Sequence, residues 1–243
     1  MNLVHISLTI LIFAPIWKLA YLWMVYQGSD YQKQIGIGFF KMRWNVGLRG
    51  EYTIYRRLES LAGKPRFLFN LYLPKDDGTF SEMDILMLHS SGLYAFESKN
   101  YKGWIFGSES SRYWAQTLPT GKGKSRKERF YNPIKQHQTH LKWLRHFLGD
   151  KMPICHSYIA FGDEASFKKL EIQSSDHQIV HYCQLKRRIK QQIKETGQVL
   201  TEAQIQQLFD KLYPLSQVET KTKEEHIQKI QEKRLETHSS LFQ

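Results

Sequence analysis

Cysteine is nearly absent: two residues in 243, Cys155 and Cys183, and neither belongs to a C-x-x-C pair. With His181 they offer no paired ligand spacing of the kind that structural zinc requires, and His137 with His140 offers none either. These five are therefore read as core or surface positions. Acidic residues are also few, 23 Asp plus Glu against 35 Lys plus Arg, for a formal net charge of +12 and a pI near 9.5. That balance favours a polyanionic partner, and both nucleic acid and an anionic membrane qualify. No internal repeat is visible. No Lys or Arg precedes the first apolar run and no small-x-small cleavage site follows it, which disfavours a cleaved signal peptide.

The apolar run itself extends from Leu3 to Tyr26, broken by Pro15 and Lys18. About 20 residues cross a bilayer, so residues 1–26 are expected to be an uncleaved transmembrane helix, with Tyr21, Trp23 and Tyr26 at the interface. Because Lys18 is costly at depth, a helix lying in the interface is the alternative. Lys33, Lys41 and Arg43 follow the run, which places the remaining chain on the cytoplasmic side as a single-pass protein with reduced thiols. Residues 27–45, with Gly28, Gly36 and Gly38, read as a linker, residues 46–213 as one α/β domain, and residues 214–243 as a charged tail.

Chemistry concentrates in two short segments. Asp84 to Leu88 and Leu93 to Lys99 are apolar runs separated by Ser90-Ser91-Gly92, which predicts an antiparallel hairpin. Alternation puts Leu93, Ala95, Glu97 and Lys99 on one face and Tyr94, Phe96 and Ser98 on the other. Pairing centred on the turn sets Asp84 opposite residues 97 to 99, where its carboxylate and that of Glu97 can share a hard cation such as Mg²⁺. Lys99 beside such an ion can steer or deprotonate a water, or neutralise charge building on a phosphate.

Several motifs in order resemble the nuclease-related domain, NERD, itself similar to the PD-(D/E)XK restriction-endonuclease-like fold. They are Gly47-Leu48-Arg49-Gly50-Glu51, Glu82-Met83-Asp84, Glu97-Ser98-Lys99-Asn100-Tyr101-Lys102-Gly103, Trp114, and Asn132-Pro133 with Gln136. The resemblance spans roughly residues 45 to 160, and Glu82 stands where the family often carries Gln. It implies a restriction-endonuclease-like core, a mixed central sheet flanked by helices. It also implies a divalent-metal-dependent nuclease, Mg²⁺ or Mn²⁺ being the cofactor and DNA the expected polymer. In that reading Asp84, Glu97 and Glu51 hold the metal, and Glu51, Asp84, Glu97, Lys99 and Gln136 are the catalytic set. By its position alone, Glu51 is equally an acid favoured by a helix dipole.

The densest basic run, Lys122 to Arg129, is preceded by Pro119-Thr120-Gly121 and is expected to be a mobile loop. Lys102 and, within this run, Lys122, Lys124, Arg126, Lys127 and Arg129 are the candidate phosphate-binding residues. Further strands are expected at Ile154 to Phe161 and Gln178 to Cys183, and helices at Leu185 to Ile193 and Thr201 to Tyr213. Two other classes of function compete with the nuclease: a non-catalytic nucleic-acid-binding module, and a membrane-surface scaffold whose site residues are an ion-pair network.

Overall fold

The structure is a computed structural model that describes residues 3–218 except Lys122, with backbone alone for residues 3–12. The chain opens with α1 (Leu3–Gln27), α2 (Asp30–Ile35), α3 (Phe39–Trp44) and α4 (Val46–Leu58). Asn45 starts α4 by accepting the Leu48 N–H on its side chain, which satisfies one of the free donors at a helix start. Three strands then run antiparallel, β1 (Arg66–Pro74), β2 (Phe80–His89) and β3 (Gly92–Lys99). The predicted hairpin is present, with Ile85 opposite Phe96 and His89 opposite Gly92 across a Ser90-Ser91 turn.

Next come β4 (Gly103–Ser108), β5 (Tyr113–Gly121), β6 (Lys124–Tyr131), α5 (Pro133–Leu148), β7 (Cys155–Phe161), β8 (Ala165–Glu171), β9 (Gln178–His181), α6 (Tyr182–Thr196) and α7 (Glu202–Leu212). The main sheet has five strands in the order β1-β2-β3-β7-β9, with β3, β7 and β9 parallel. One face packs Tyr94 and Phe96 against Ile54 and Leu58 of α4 and Leu185 and Ile189 of α6. The other packs Leu93 and Ala95 against Trp143 and Leu144 of α5 and Ile205 and Leu212 of α7. The alternation along β3 therefore holds, and the fold is mixed α/β with helices on both faces.

A second sheet, β6-β5-β4-β8, was not foreseen. The segment expected to be a mobile loop is instead the β5–β6 hairpin, paired from Tyr113 with Tyr131 to Gly121 with Lys124. Its inner face is apolar at Trp114 and Phe130, which join Ile105 and Phe161 in a third cluster, and that buried side orders the charged strand. Trp114 lies flat over Gly107, where a Cβ would sit 2.3 Å from its ring. The tryptophan of the motif series thus fastens one sheet to the other.

Residues 27–45, expected to be a linker, fold onto the domain. Tyr31, Phe39 and Met42 are buried, and Tyr26 at the end of α1 is fully buried against Phe39 and Tyr52, with its hydroxyl donating to the Ile37 carbonyl at 2.7 Å. Tyr26 is therefore a core residue and not part of an interfacial aromatic belt. Among the described residues no helix is long and apolar enough to cross a membrane. The side chains of residues 1–12 of the expected anchor, and residues 219–243 of the expected tail, lie outside the described residues.

Candidate active site

Four elements converge on the end of the β2–β3 hairpin remote from its turn. The alternation along β2 breaks at Asp84: Met83 and Leu86 belong to the same core cluster. The break is matched on β1, where Asn70 adopts φ +50° between residues paired with Met83 and Ile85. Asp84 lies just past the last ladder pair, Ile85 with Phe96, and its Oδ2 accepts the Ser98 N–H at 2.7 Å. Glu97 is fully buried, and its Oε1 accepts Lys99 Nζ at 2.7 Å. The same ammonium donates to Gln136 Oε1 at 3.0 Å, so Lys99 bridges the strand to the first turn of α5. Asn132 caps that helix through the Ile134 N–H, with Pro133 pre-set for the first turn.

Glu51 reaches the cluster from α4 and accepts the Tyr31 hydroxyl at 3.0 Å. Its helix can approach because the preceding residue is glycine: a Cβ on Gly50 would meet Tyr182 Oη at 2.5 Å, Ser98 Oγ at 2.7 Å and Asn100 Cβ at 2.9 Å. Glu82 accepts the Tyr72 hydroxyl at 3.0 Å.

Electrostatics separate these groups. Burial, then the charges of Glu97 and Glu51, push Asp84 well above the usual carboxylate range, against the pull of Lys99 and the Ser98 N–H. Burial raises Glu51 to about 7 despite its tyrosine bond, with Glu82 and Glu97 adding to the rise. Burial alone would raise Glu97 too, but Lys99 followed by His140 outweighs it and holds that carboxyl at about 2. Burial works to lower Lys99, and Glu97, Tyr101 and Asp84 overcome it, so the ammonium is held above its ordinary value.

Residues 46–162 match the family model described as the nuclease-related domain. This segment is a NERD domain. NERD domains are PD-(D/E)XK-like, in keeping with the strand carboxylates and Lys99. Over 192 residues the chain is 26% identical to an uncharacterized protein of Bacillus anthracis, covering 79% of this chain and 86% of that protein. No solved structure matches.

The folded unit exceeds the NERD match at both ends. Tyr31 lies before it and supports Glu51, while Tyr182 lies after it and bonds Ser98 Oγ at 2.8 Å. All five expected catalytic residues, Glu51, Asp84, Glu97, Lys99 and Gln136, fall in one region. The basic residues do not join them as a set. Lys124, Arg126, Lys127 and Arg129 lie along β6, Lys102 pairs with Glu164 at 2.9 Å, Arg126 pairs with Glu128 at 2.7 Å, and Lys122 lies outside the described residues. Cys155 and His181 sit at opposite ends of the main sheet, paired with Leu93 and Phe161, so they form no zinc site with Cys183.

His137 and His140 are core residues as expected, yet they touch the site. His140 Nε2 lies 3.3 Å and His137 Nδ1 3.9 Å from Glu97 Oε2, and His140 Nδ1 is 2.7 Å from Ser81 Oγ. Burial pushes His137 down to about 3, so it is neutral. Their spacing of three places them on the helix face that carries Ile134 and Leu144 toward the sheet, and that spacing was the available signal.

Among the described residues no three His, Cys, Asp or Glu side chains converge as a ready metal cage. The donor set nevertheless suits a hard divalent cation. Asp84 and Glu97 supply oxygens from adjacent strands, Glu97 Oε2 is buried without a hydrogen bond, and one ammonium stands among several carboxylates. Glu51, tied to Tyr31, stands at the edge of that set.

Proposed function

We propose that this protein is a divalent-metal-dependent nuclease that hydrolyses phosphodiester bonds in DNA, with Asp84 and Glu97 holding Mg²⁺ or Mn²⁺. The observation that carries the reading is the Glu97–Lys99–Gln136 chain beside Asp84, which orders a carboxylate pair and a half-buried ammonium at one sheet end. The bound cation supplies Lewis-acid polarisation of the phosphate and a more acidic water. Lys99, raised and charged, is suited to neutralise the phosphate in the transition state and not to take a proton from water. Gln136 fixes the Lys99 ammonium from the α5 side, and its amide nitrogen remains available to orient a water or a phosphate oxygen. Glu51, raised to about 7, is the group poised to exchange a proton near neutral pH.

The membrane reading accompanies this proposal: α1 attaches the protein to a membrane and the NERD domain works on the cytoplasmic side. In support, Phe13, Ile16, Trp17, Trp23 and Met24 of α1 and Phe40 and Trp44 of α3 are exposed apolar side chains. Cosedimentation with lipid vesicles tests it, the expected result being binding that Trp17→Glu with Trp44→Glu removes.

The nuclease is tested by incubating plasmid and single-stranded DNA with the protein in Mg²⁺, Mn²⁺ or EDTA, beside Asp84→Ala and Lys99→Ala. Metal-dependent cutting lost in both variants is expected. Salt-sensitive DNA binding without any cutting overturns the catalytic reading in favour of a binding module.

A further inference from the structure

The outer face of the second sheet is unclaimed by the site chemistry. Pairing fixes which side chains share it. Trp104 of β4 stands opposite Thr117 of β5, which stands opposite Lys127 of β6, and Phe106, Ala115 and Arg129 form the next row. Tyr113 and Tyr131 pair edge to face beyond them, with ring centroids 6.2 Å apart. The opposite face carries Trp114 and Phe130 into the core, so these aromatic rings point away from it. Trp104 and Tyr131 are 43% and 44% exposed.

Basic groups interleave with the rings. Lys168 Nζ sits 5.4 Å from the Trp104 ring centroid, and Arg112 lies 5.4 Å from that of Tyr113. Between Trp104 and Tyr131, which stand outside it, lies a cleft of about 520 Å³ at Phe106 and Tyr113, lined by four basic side chains (Arg112, Lys127, Arg129 and Lys169) and one acid, Glu171, which pairs with Lys169 at 3.1 Å. Cross-strand aromatic pairing alone explains Tyr113 with Tyr131, but not an exposed tryptophan under a lysine or the excess of cations.

We propose that this face is a stacking platform for single-stranded nucleic acid, whose bases lie on Trp104 and Tyr131 while its phosphates meet Lys127 and Arg129. Unpaired bases expose the flat surfaces such rings need, whereas a duplex hides them in its stack. The platform is inserted in the chain between two parts of the candidate site: β4 begins four residues after Lys99, and β6 leads through Asn132 into the helix of Gln136. Asn132 ties them together, its amide donating to the carbonyls of Ser108, Glu109 and Ser111 at 3.2, 3.0 and 2.6 Å. The inference rests on the nuclease reading only for the class of polymer.

Fluorescence anisotropy of a labelled oligo-dT with the full-length protein in EDTA tests it, because binding is then read without cutting. Trp104→Ala is expected to weaken oligo-dT binding about tenfold, and Trp104→Phe to restore most of it, since one ring stacks as another does. Lys127→Gln with Arg129→Gln is expected to flatten the log–log dependence of affinity on salt by about 1.4. Unchanged affinity in Trp104→Ala and Tyr131→Ala overturns the platform, as does an equal loss for duplex DNA or a loss seen only with phosphatidylglycerol vesicles. Platform binding in a protein that never cuts leaves this inference standing while the nuclease fails, and cutting with unchanged Trp104→Ala binding does the reverse.

Discussion

Asp84 and Glu97 lie on adjacent strands yet hold their protons with opposite strengths, because Lys99 serves Glu97 first. The consequence can be measured as stability against pH. Glu51 is raised from 4.5 to about 7, so the folded protein binds that proton more tightly than the unfolded chain does. Glu51 is therefore expected to make the stability of the metal-free protein fall as pH rises from about 4.5 to 7, by about 3 kcal/mol at most from this group, and Glu51→Gln should flatten that slope in thermal melts. Asp84, also raised, adds to the same fall. Glu97 works in the other direction: held at about 2, it contributes stability present above 4.5 and lost as pH drops toward 2. Asp84→Ala in EDTA should melt at or above the wild-type temperature, since it removes a crowded charge. Lys99→Ala should lose about 3 kcal/mol by stranding buried Glu97.

At the scale of elements, the β2–β3 hairpin was legible because a period of two and a Ser-Ser-Gly turn are local signals. The break at Asp84 was not legible, because it depends on Asn70 of a neighbouring strand. Gly50 shows what the α4 motif is for, since Tyr182, at 3% exposure, leaves no room to yield. Gly50→Ala is expected to cost about 2 kcal/mol in chemical denaturation and to lower cleavage by shifting Ser98, the donor to Asp84. The β5–β6 hairpin escaped sequence reading for a physical reason: β6 carries five charges in eight residues, and only the packing of Trp114 and Phe130 makes it a strand.

At the scale of the whole molecule, α1 is anchored to the domain by its last turn. Tyr26→Ala is expected to destabilise the protein by about 3 kcal/mol in thermal or urea unfolding, a result that a free-standing membrane tether would not give. Divalent cations are expected to raise the melting temperature more at pH 8 than at pH 6, because Glu51, raised to about 7, adds its negative charge beside the site over that interval and the raised Asp84 must release its proton before it can ligate.

The order of the motifs, the hairpin, the face on which Glu97 and Lys99 lie and the helix that begins at Asn132 followed from the sequence by itself, since each depends on neighbours within a few residues. Three things only the tertiary structure decided: that Tyr31 and Tyr182 support the site from outside the NERD segment, that His137 and His140 close on Glu97, and that a basic stretch becomes a sheet with an aromatic outer face. Those contacts join residues far apart in the chain, and they exist because separate apolar faces bury against one another, which is a property of the assembled core and not of any local pattern.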